Sequence, residues 1–159
     1  MVKDVRRGLP KIPDVGEAKR GPEGYLIYLL RQANAAVRLA LDRALAKEAM
    51  TYPQQAALTM IRAYEAISAA DLARLAMLTP QTVNGIVRAL EERGAITKEP
   101  DPVHGRILRL VVTEEGRALN KRCRALTAPI EAALKTRLDP ARDKIVRQWL
   151  VDIAKAFGE

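Results

Sequence analysis

From Tyr25 to Ala49 apolar side chains return every three or four positions, through Leu26, Leu30, Val37, Leu41, Ala44 and Leu45, and this spacing predicts a long amphipathic first helix. The pattern breaks near Met50. Thr51 then offers an N-cap oxygen and Pro53 sits where a missing N–H costs nothing, so a second helix is expected over 53–64. Ser68 and Asp71 stand at capping-box spacing ahead of a short third helix that ends near Met77. Thr79-Pro80 repeats the cap-plus-proline signal and opens a fourth helix, in which Val83, Ile86, Val87 and Leu90 fall on one face. Gly94 is suited to the left-handed position that stops it.

Two extended runs follow, 95–99 and 107–112, around Pro100-Asp101-Pro102-Val103-His104-Gly105, and they predict a hairpin. Thr113 caps a long fifth helix whose stripe is Leu119, Cys123, Leu126, Ile130 and Leu134. Pro129 inside it is expected to bend or interrupt the helix, by deleting one bond and crowding the carbonyl of Ala125. Asp139-Pro140 opens the last helix, with Ile145, Val146, Trp149, Leu150, Ile153 and Phe157 on one side. The fold class is therefore mainly α with a small β-hairpin. A short helix, a tight turn, a second helix and a hairpin make a winged helix-turn-helix, here flanked by long N- and C-terminal helices.

Composition adds limits. The 159 residues suffice for one domain with a core of its own, and the single cysteine excludes a disulfide framework and a Cys-rich zinc site. No apolar run is long enough for a membrane span, and the amino terminus carries charge where a secretory leader needs apolar residues, so the expected compartment is the cytoplasm. Residues 1–24 combine Gly, Pro and charge without an apolar period and read as a flexible basic tail. No Ser-His-Asp arrangement, Gly-rich phosphate loop or paired-carboxylate site stands out, so neither catalysis nor a cofactor is expected. His104 has no metal-ligand companions.

A net charge of +8, from 27 basic and 19 acidic residues, favours partners that bear phosphate. The excess is not in the middle of the chain, where seven basic residues face six acidic ones between Tyr52 and Val112. What that segment offers is a recognition surface. With the apolar stripe of the fourth helix turned inward, Gln81, Thr82, Asn84, Gly85 and Arg88 are left outward. Gln and Asn pair with adenine, Arg with guanine, and a Thr methyl meets thymine, each good bidentate pair contributing about 1–3 kcal/mol of discrimination. The N-terminal N–H groups of this helix, around Thr79, Pro80, Gln81 and Thr82, mark a helix start suited to a phosphate, with Pro80 itself offering none, and Ser68 opens the preceding helix in the same way. His104 and Arg106 occupy the loop of the hairpin, which can lie along a minor groove that attracts arginine. The expected partner is double-stranded DNA.

The stretch LTPQTVNGIVRALEERGAITKEPDPVHGRILRLVVTEEGRAL, preceded by TYPQQAALTMIRAY and ISAADLARLAML, resembles the MarR family of transcriptional regulators. The likeness lies in the Thr-Val recognition helix, the Leu-Glu-Glu-Arg-Gly exit, the wing ending in Arg and the Thr-Glu-Glu-Gly start of the next helix, and it covers residues 25–157. His104 replaces a common second wing acid that braces the arginine, and Gly85 replaces a frequent basic residue. The resemblance implies a homodimer joined by the helices at 25–50 and 113–159. It also implies a DNA-binding domain at 51–112, a pseudo-palindromic operator and release by a small molecule held between the dimer helices and the DNA-binding lobe. Two recognition helices entering successive major grooves must stand about 34 Å apart, which a two-fold dimer supplies.

Effector candidates follow from that implied pocket. Tyr28, Arg31, Asn34 and Arg38 project from the first helix at one- and two-turn spacing, and Arg122 and Arg124 lie on the fifth. Arginines so placed suit an aromatic carboxylate or the phosphates of its CoA thioester, and the alternative is solvated charge with one interface amide. Cys123 reads as a buried thiol; its alternative is a redox sensor, although relatives that sense oxidants carry their cysteine near the start of the first helix. A third reading is a protein-interaction module that retains the fold. The leading one is a repressor released by an anionic effector.

Overall fold

The computed structural model describes residues 12–158, and the chain divides into two compact units between Val37 and Arg38. The basic tail expected over 1–24 lies outside the described residues for its first eleven positions. Within residues 12–24, positions 18–20 form one 3-10 turn, and Arg20 donates to Gln32 Oε1 (3.1 Å) and to the Pro13 carbonyl (2.7 Å). Gln32 answers by donating to the Arg20 carbonyl at 3.3 Å.

Helix α1 spans Leu26–Leu45 and passes through the division between units. A 3-10 turn, Ala46–Glu48, follows it, and Ala49 takes the left-handed conformation at φ 49°. The expected break at Met50 is thus made by a non-glycine residue in a costly conformation, held because Met50 and Leu45 are buried. Helix α2, Tyr52–Ala63, begins one residue earlier than expected. Its cap is a full capping box: Thr51 Oγ1 accepts from the Gln54 N–H, and the Thr51 N–H donates to Gln54 Oε1 at 3.0 Å.

Helices α3, Ala69–Ala76, and α4, Pro80–Glu92, are joined by Met77, Leu78 and Thr79, with Met77 left-handed at φ 52°. Ser68 caps α3 by accepting from the Asp71 N–H at 3.1 Å. Its hydroxyl donates to the Asp71 carboxylate at 2.6 Å, so Asp completes the cap through the side chain and does not reach back to the backbone. Gly94, at φ +66°, ends α4 as expected, and Ala95 N–H closes onto the Leu90 carbonyl at 2.9 Å.

Strands β1, Ile96–Pro100, and β2, Leu108–Val112, pair antiparallel with Ile96 opposite Val112 and Pro100 opposite Leu108. One pairing was not anticipated: the Leu110 N–H donates to the Ile67 carbonyl at 2.9 Å and Ser68 bridges Arg109, so the segment before α3 forms a third edge of the hairpin. Side chains of α2, α3, α4, the hairpin and α5, Glu114–Lys135, share one core, with Leu58, Ile61, Leu72, Leu90, Ile96, Leu110, Leu119 and Cys123 buried. Helix α5 continues through Pro129, so of the expected bend or interruption the interruption does not occur. Thr127 on the preceding turn donates to the Cys123 carbonyl at 3.2 Å. Helix α6, Pro140–Phe157, has no buried residue, and its apolar side faces out: Ile145 is 67%, Trp149 42% and Phe157 84% exposed.

The junction between hairpin and α5 leaves no space. Thr113 caps α5 by accepting from Gly116 N–H (2.9 Å) and donates to the Gly94 carbonyl (2.7 Å). A Cβ on Gly116 would collide with the Ala95 carbonyl and with Val112 Cγ1. Gly116→Ala is expected to lower unfolding free energy by about 3 kcal/mol, because the obstacle is backbone; urea denaturation followed by circular dichroism measures it.

Candidate nucleic-acid interface

Four buried side chains of α4, Val83, Ile86, Val87 and Leu90, fix its rotation. Gln81, Thr82, Asn84, Gly85 and Arg88 are consequently all exposed, as the sequence pattern requires. Arg88 makes no ion pair or side-chain hydrogen bond within the described residues, so its five donors are available. At the helix start Thr79 Oγ1 accepts from the Thr82 N–H at 3.2 Å, and the two hydroxyls lie 2.8 Å apart. Pro80, Gln81 and Thr82 form the first turn, where the Gln81 N–H has no partner among the described residues and the helix dipole favours an anion. A Cβ at Gly85 would meet no protein atom within 4 Å, so the space above it is open to whatever lies against the helix. Ser68 is instead half-buried, tied to Asp71 and to the edge of the hairpin.

The wing is built around a residue the sequence reading passed over. Asp101 accepts from the His104 N–H (2.7 Å) and the Val103 N–H (2.8 Å) with one carboxylate oxygen, and from Arg109 Nε (2.5 Å) with the other. The brace joins Asp101 to Arg109. Arg106 and the His104 side chain are exposed at the tip, without a partner among the described residues. The signal was available: an Asp two and three residues before backbone N–H groups is an Asx turn. These bonds, the His104 N–H foremost, lower the Asp101 pKa to about 2.

Of the expected effector residues, Tyr28, Arg31 and Asn34 belong to the first unit, and Arg38, Arg122 and Arg124 to the second. Tyr28 donates to Gln32 Oε1 at 3.3 Å within its own unit, where Arg31 and Asn34 are exposed. Asn34 is therefore open to solvent in the protomer and bears no desolvation cost there. In the second unit Arg38 lies 3.7 Å from Asp42, whose other oxygen accepts the Tyr52 N–H at 2.7 Å. Arg122 is engaged bidentately by Glu48 at 2.9 and 3.1 Å, which holds the Glu48 pKa below its usual value. Arg124 lies two residues further round α5 and belongs to a different surface. There it lines a cavity with Arg62, Arg117, Asn120 and Lys121, four residues that helical spacing alone did not single out.

Cys123 is fully buried, and burial pushes its thiol pKa up, the opposite of what a reactive thiolate needs. Among the described residues no helix is long and apolar enough to cross a membrane.

The family model described as "MarR family" matches residues 50–108. The HTH-type transcriptional repressor Rv2887 of Mycobacterium tuberculosis is 33% identical over 136 residues, spanning 86% of this chain and 96% of that protein. The chain belongs to the MarR family. A solved structure of the M. tuberculosis MarR family protein RV2887 in complex with salicylic acid is 32% identical, with a TM-score of 0.64, and covers 83% of this chain and 98% of its own. The MepR–DNA complex of S. aureus shares the fold at a TM-score of 0.79 and 20% identity, covering 85% and 100%. As a MarR-family chain it is a winged helix-turn-helix transcriptional regulator.

The depressed Asp101 pKa sets a pH range for the wing. Its bonds favour the carboxylate, so the order they confer is complete above the unfolded value near 4 and is lost as pH falls through about 2. The Val103 and His104 amides should stay protected from exchange at pH 4 and lose protection near pH 2, as two-dimensional NMR of a labelled sample would record. Asp101→Asn should loosen the same amides at neutral pH, since the amide cannot form the charged pair with Arg109.

Proposed function

We propose that the protein is a cytoplasmic, homodimeric repressor that binds a pseudo-palindromic operator and leaves it when a small anionic effector binds. The observation that carries this reading is α4 itself. A helix whose apolar side is locked into a core presents Gln81, Asn84 and an unpaired Arg88 outward, next to a wing with a free arginine at its tip. Gln81, Asn84 and Arg88 read base edges in the major groove; Thr79, Pro80 and Thr82 meet a phosphate at the helix start; His104 and Arg106 reach the adjacent minor groove. Ser68 contributes through α3, whose first turn carries a further phosphate-binding N–H.

Dimerisation accounts for the apolar surface that a protomer leaves in water. Leu26, Ile27 and Leu30 on α1 and Ile145, Trp149 and Leu150 on α6 are all exposed. At about 25 cal/mol per Å² such stripes stabilise a two-fold pair strongly once covered. The dimer helices are α1, α5 and α6, and the DNA-binding domain lies between them in sequence, at 51–112.

The effector is an aromatic acid or its CoA thioester. Support comes from the salicylic acid complex of the 32% identical M. tuberculosis relative, together with the arginines of α1 and α5. Tyr28, Arg31, Asn34 and Arg38 are assigned to it from α1, and Arg122 and Arg124 from α5, with Arg122 requiring exchange of its Glu48 partner. Release requires that the effector bind the DNA-incompetent spacing more tightly than the competent one.

Arg88→Ala should relax base preference in selection from a random duplex library, whereas Arg106→Ala should weaken binding to all sequences and lower the salt slope by about one. Sedimentation should give a dimer. A monomer, or an unchanged sequence preference in Arg88→Ala, overturns the assignment.

A further inference from the structure

Some basic side chains on this protein have a carboxylate within ion-pair distance, among them Arg38, Arg74, Lys98, Arg109, Arg122 and Arg147. Others do not, and several of these gather around a hollow of about 340 Å³ between α2 and α5, lined by Arg62, Arg117, Asn120, Lys121 and Arg124. Only Arg117 has a partner, Glu114, at 2.9 Å. Arg62, Lys121 and Arg124 have none among the described residues. Four cations around one small space repel one another, and no acidic side chain lines it. An adjoining hollow that shares Arg62 and Arg117 also contains Glu65 and Glu99 and is neutralised from within.

The floor is built rather than accidental. Asn120 is 1% exposed, and its Nδ2 donates to Thr59 Oγ1 on α2 at 2.9 Å. Thr59 donates in turn to the Gln55 carbonyl at 2.9 Å, which fixes the amide. An NH₂ group has a second hydrogen to offer, and Asn120 lines the hollow. The lining has no aromatic and no aliphatic side chain, and its polar groups are four cations and one amide. A compact group with several negative oxygens meets four cations and an amide donor.

We propose that this hollow is an anion site for a diphosphate group, either free or as part of a larger ligand such as a CoA thioester. The site stands on its own lining; only its consequence, a shift in DNA affinity, rests on the effector-released reading above. That consequence is direct, because a diphosphate joining Arg62 to Lys121 and Arg124 clamps α2 to α5, and α2 supplies Leu58 and Ile61 to the core on which α4 rests.

The test is calorimetric titration of the full-length protein with inorganic pyrophosphate and, separately, with coenzyme A, repeated on the double variant Lys121→Gln, Arg124→Gln. Circular dichroism checks its fold. Saturable binding of pyrophosphate that weakens about tenfold or more in the double variant is expected. Parallel weakening for coenzyme A identifies the phosphates of the larger ligand; weakening for pyrophosphate alone identifies a free diphosphate. Absence of saturable pyrophosphate binding, or equal binding by the double variant, overturns the site. So does a loss confined to random duplex DNA, which makes these cations contacts to the DNA backbone. Should pyrophosphate bind as expected while duplex affinity stays constant in its presence, the site stands and release through this ligand class falls.

Discussion

What α4 can do depends on how its inner face is held. Val83, Ile86, Val87 and Leu90 are all buried, and they recur at the spacing that leaves the intervening positions no choice but to face outward. Leu58 and Ile61 of α2 and Leu72 of α3 share this core. Truncating any of the large ones would leave a cavity and cost a few kcal/mol. The larger effect would be loss of the fixed rotation, because a groove-reading helix must present its side chains within narrow angular limits. Packing and recognition are thus one problem solved by one stripe.

Polar groups then fix how neighbouring elements join that core. Asn120, Thr59 and Gln55 form a chain of hydrogen bonds between α5 and α2 that satisfies the buried Asn120 amide. At the wing, Asp101 satisfies two loop N–H groups and one guanidinium with a single carboxylate. The loop is rigid in its base and free at Arg106. The minor-groove role proposed for Arg106 draws on that combination, since a side chain already paired has less to give to a phosphate or a base.

Much of this was legible in the sequence, for identifiable reasons. Thr51, Ser68, Thr79, Thr113 and Asp139 each announced a helix start, because a cap is a local interaction between residues three apart, and all five serve as caps. The outward face of α4 was legible by the same locality. The Asp101–Arg109 brace was overlooked because Arg106 stood nearer the turn and matched the expected wing arginine. Pairings such as Glu48 with Arg122 and Ile67 with Leu110 join residues far apart in sequence, and no periodicity reports them. For the same reason Arg122 and Arg124, read together as a pair of nearby cations, belong to different sides of α5.

Glu48 occupies a singular place in the chain. Its carboxylate grips Arg122 in mid-α5, while its backbone carbonyl and that of Ala49 accept both ends of the Arg93 guanidinium, at 2.7 and 3.0 Å, where α4 terminates. One three-residue turn therefore acts as a common bearing for a long helix and the exit of the recognition helix. Both attachments are directional hydrogen bonds from guanidinium groups, so mid-α5 and the end of α4 are each positioned against the same turn and not merely against soft apolar contacts.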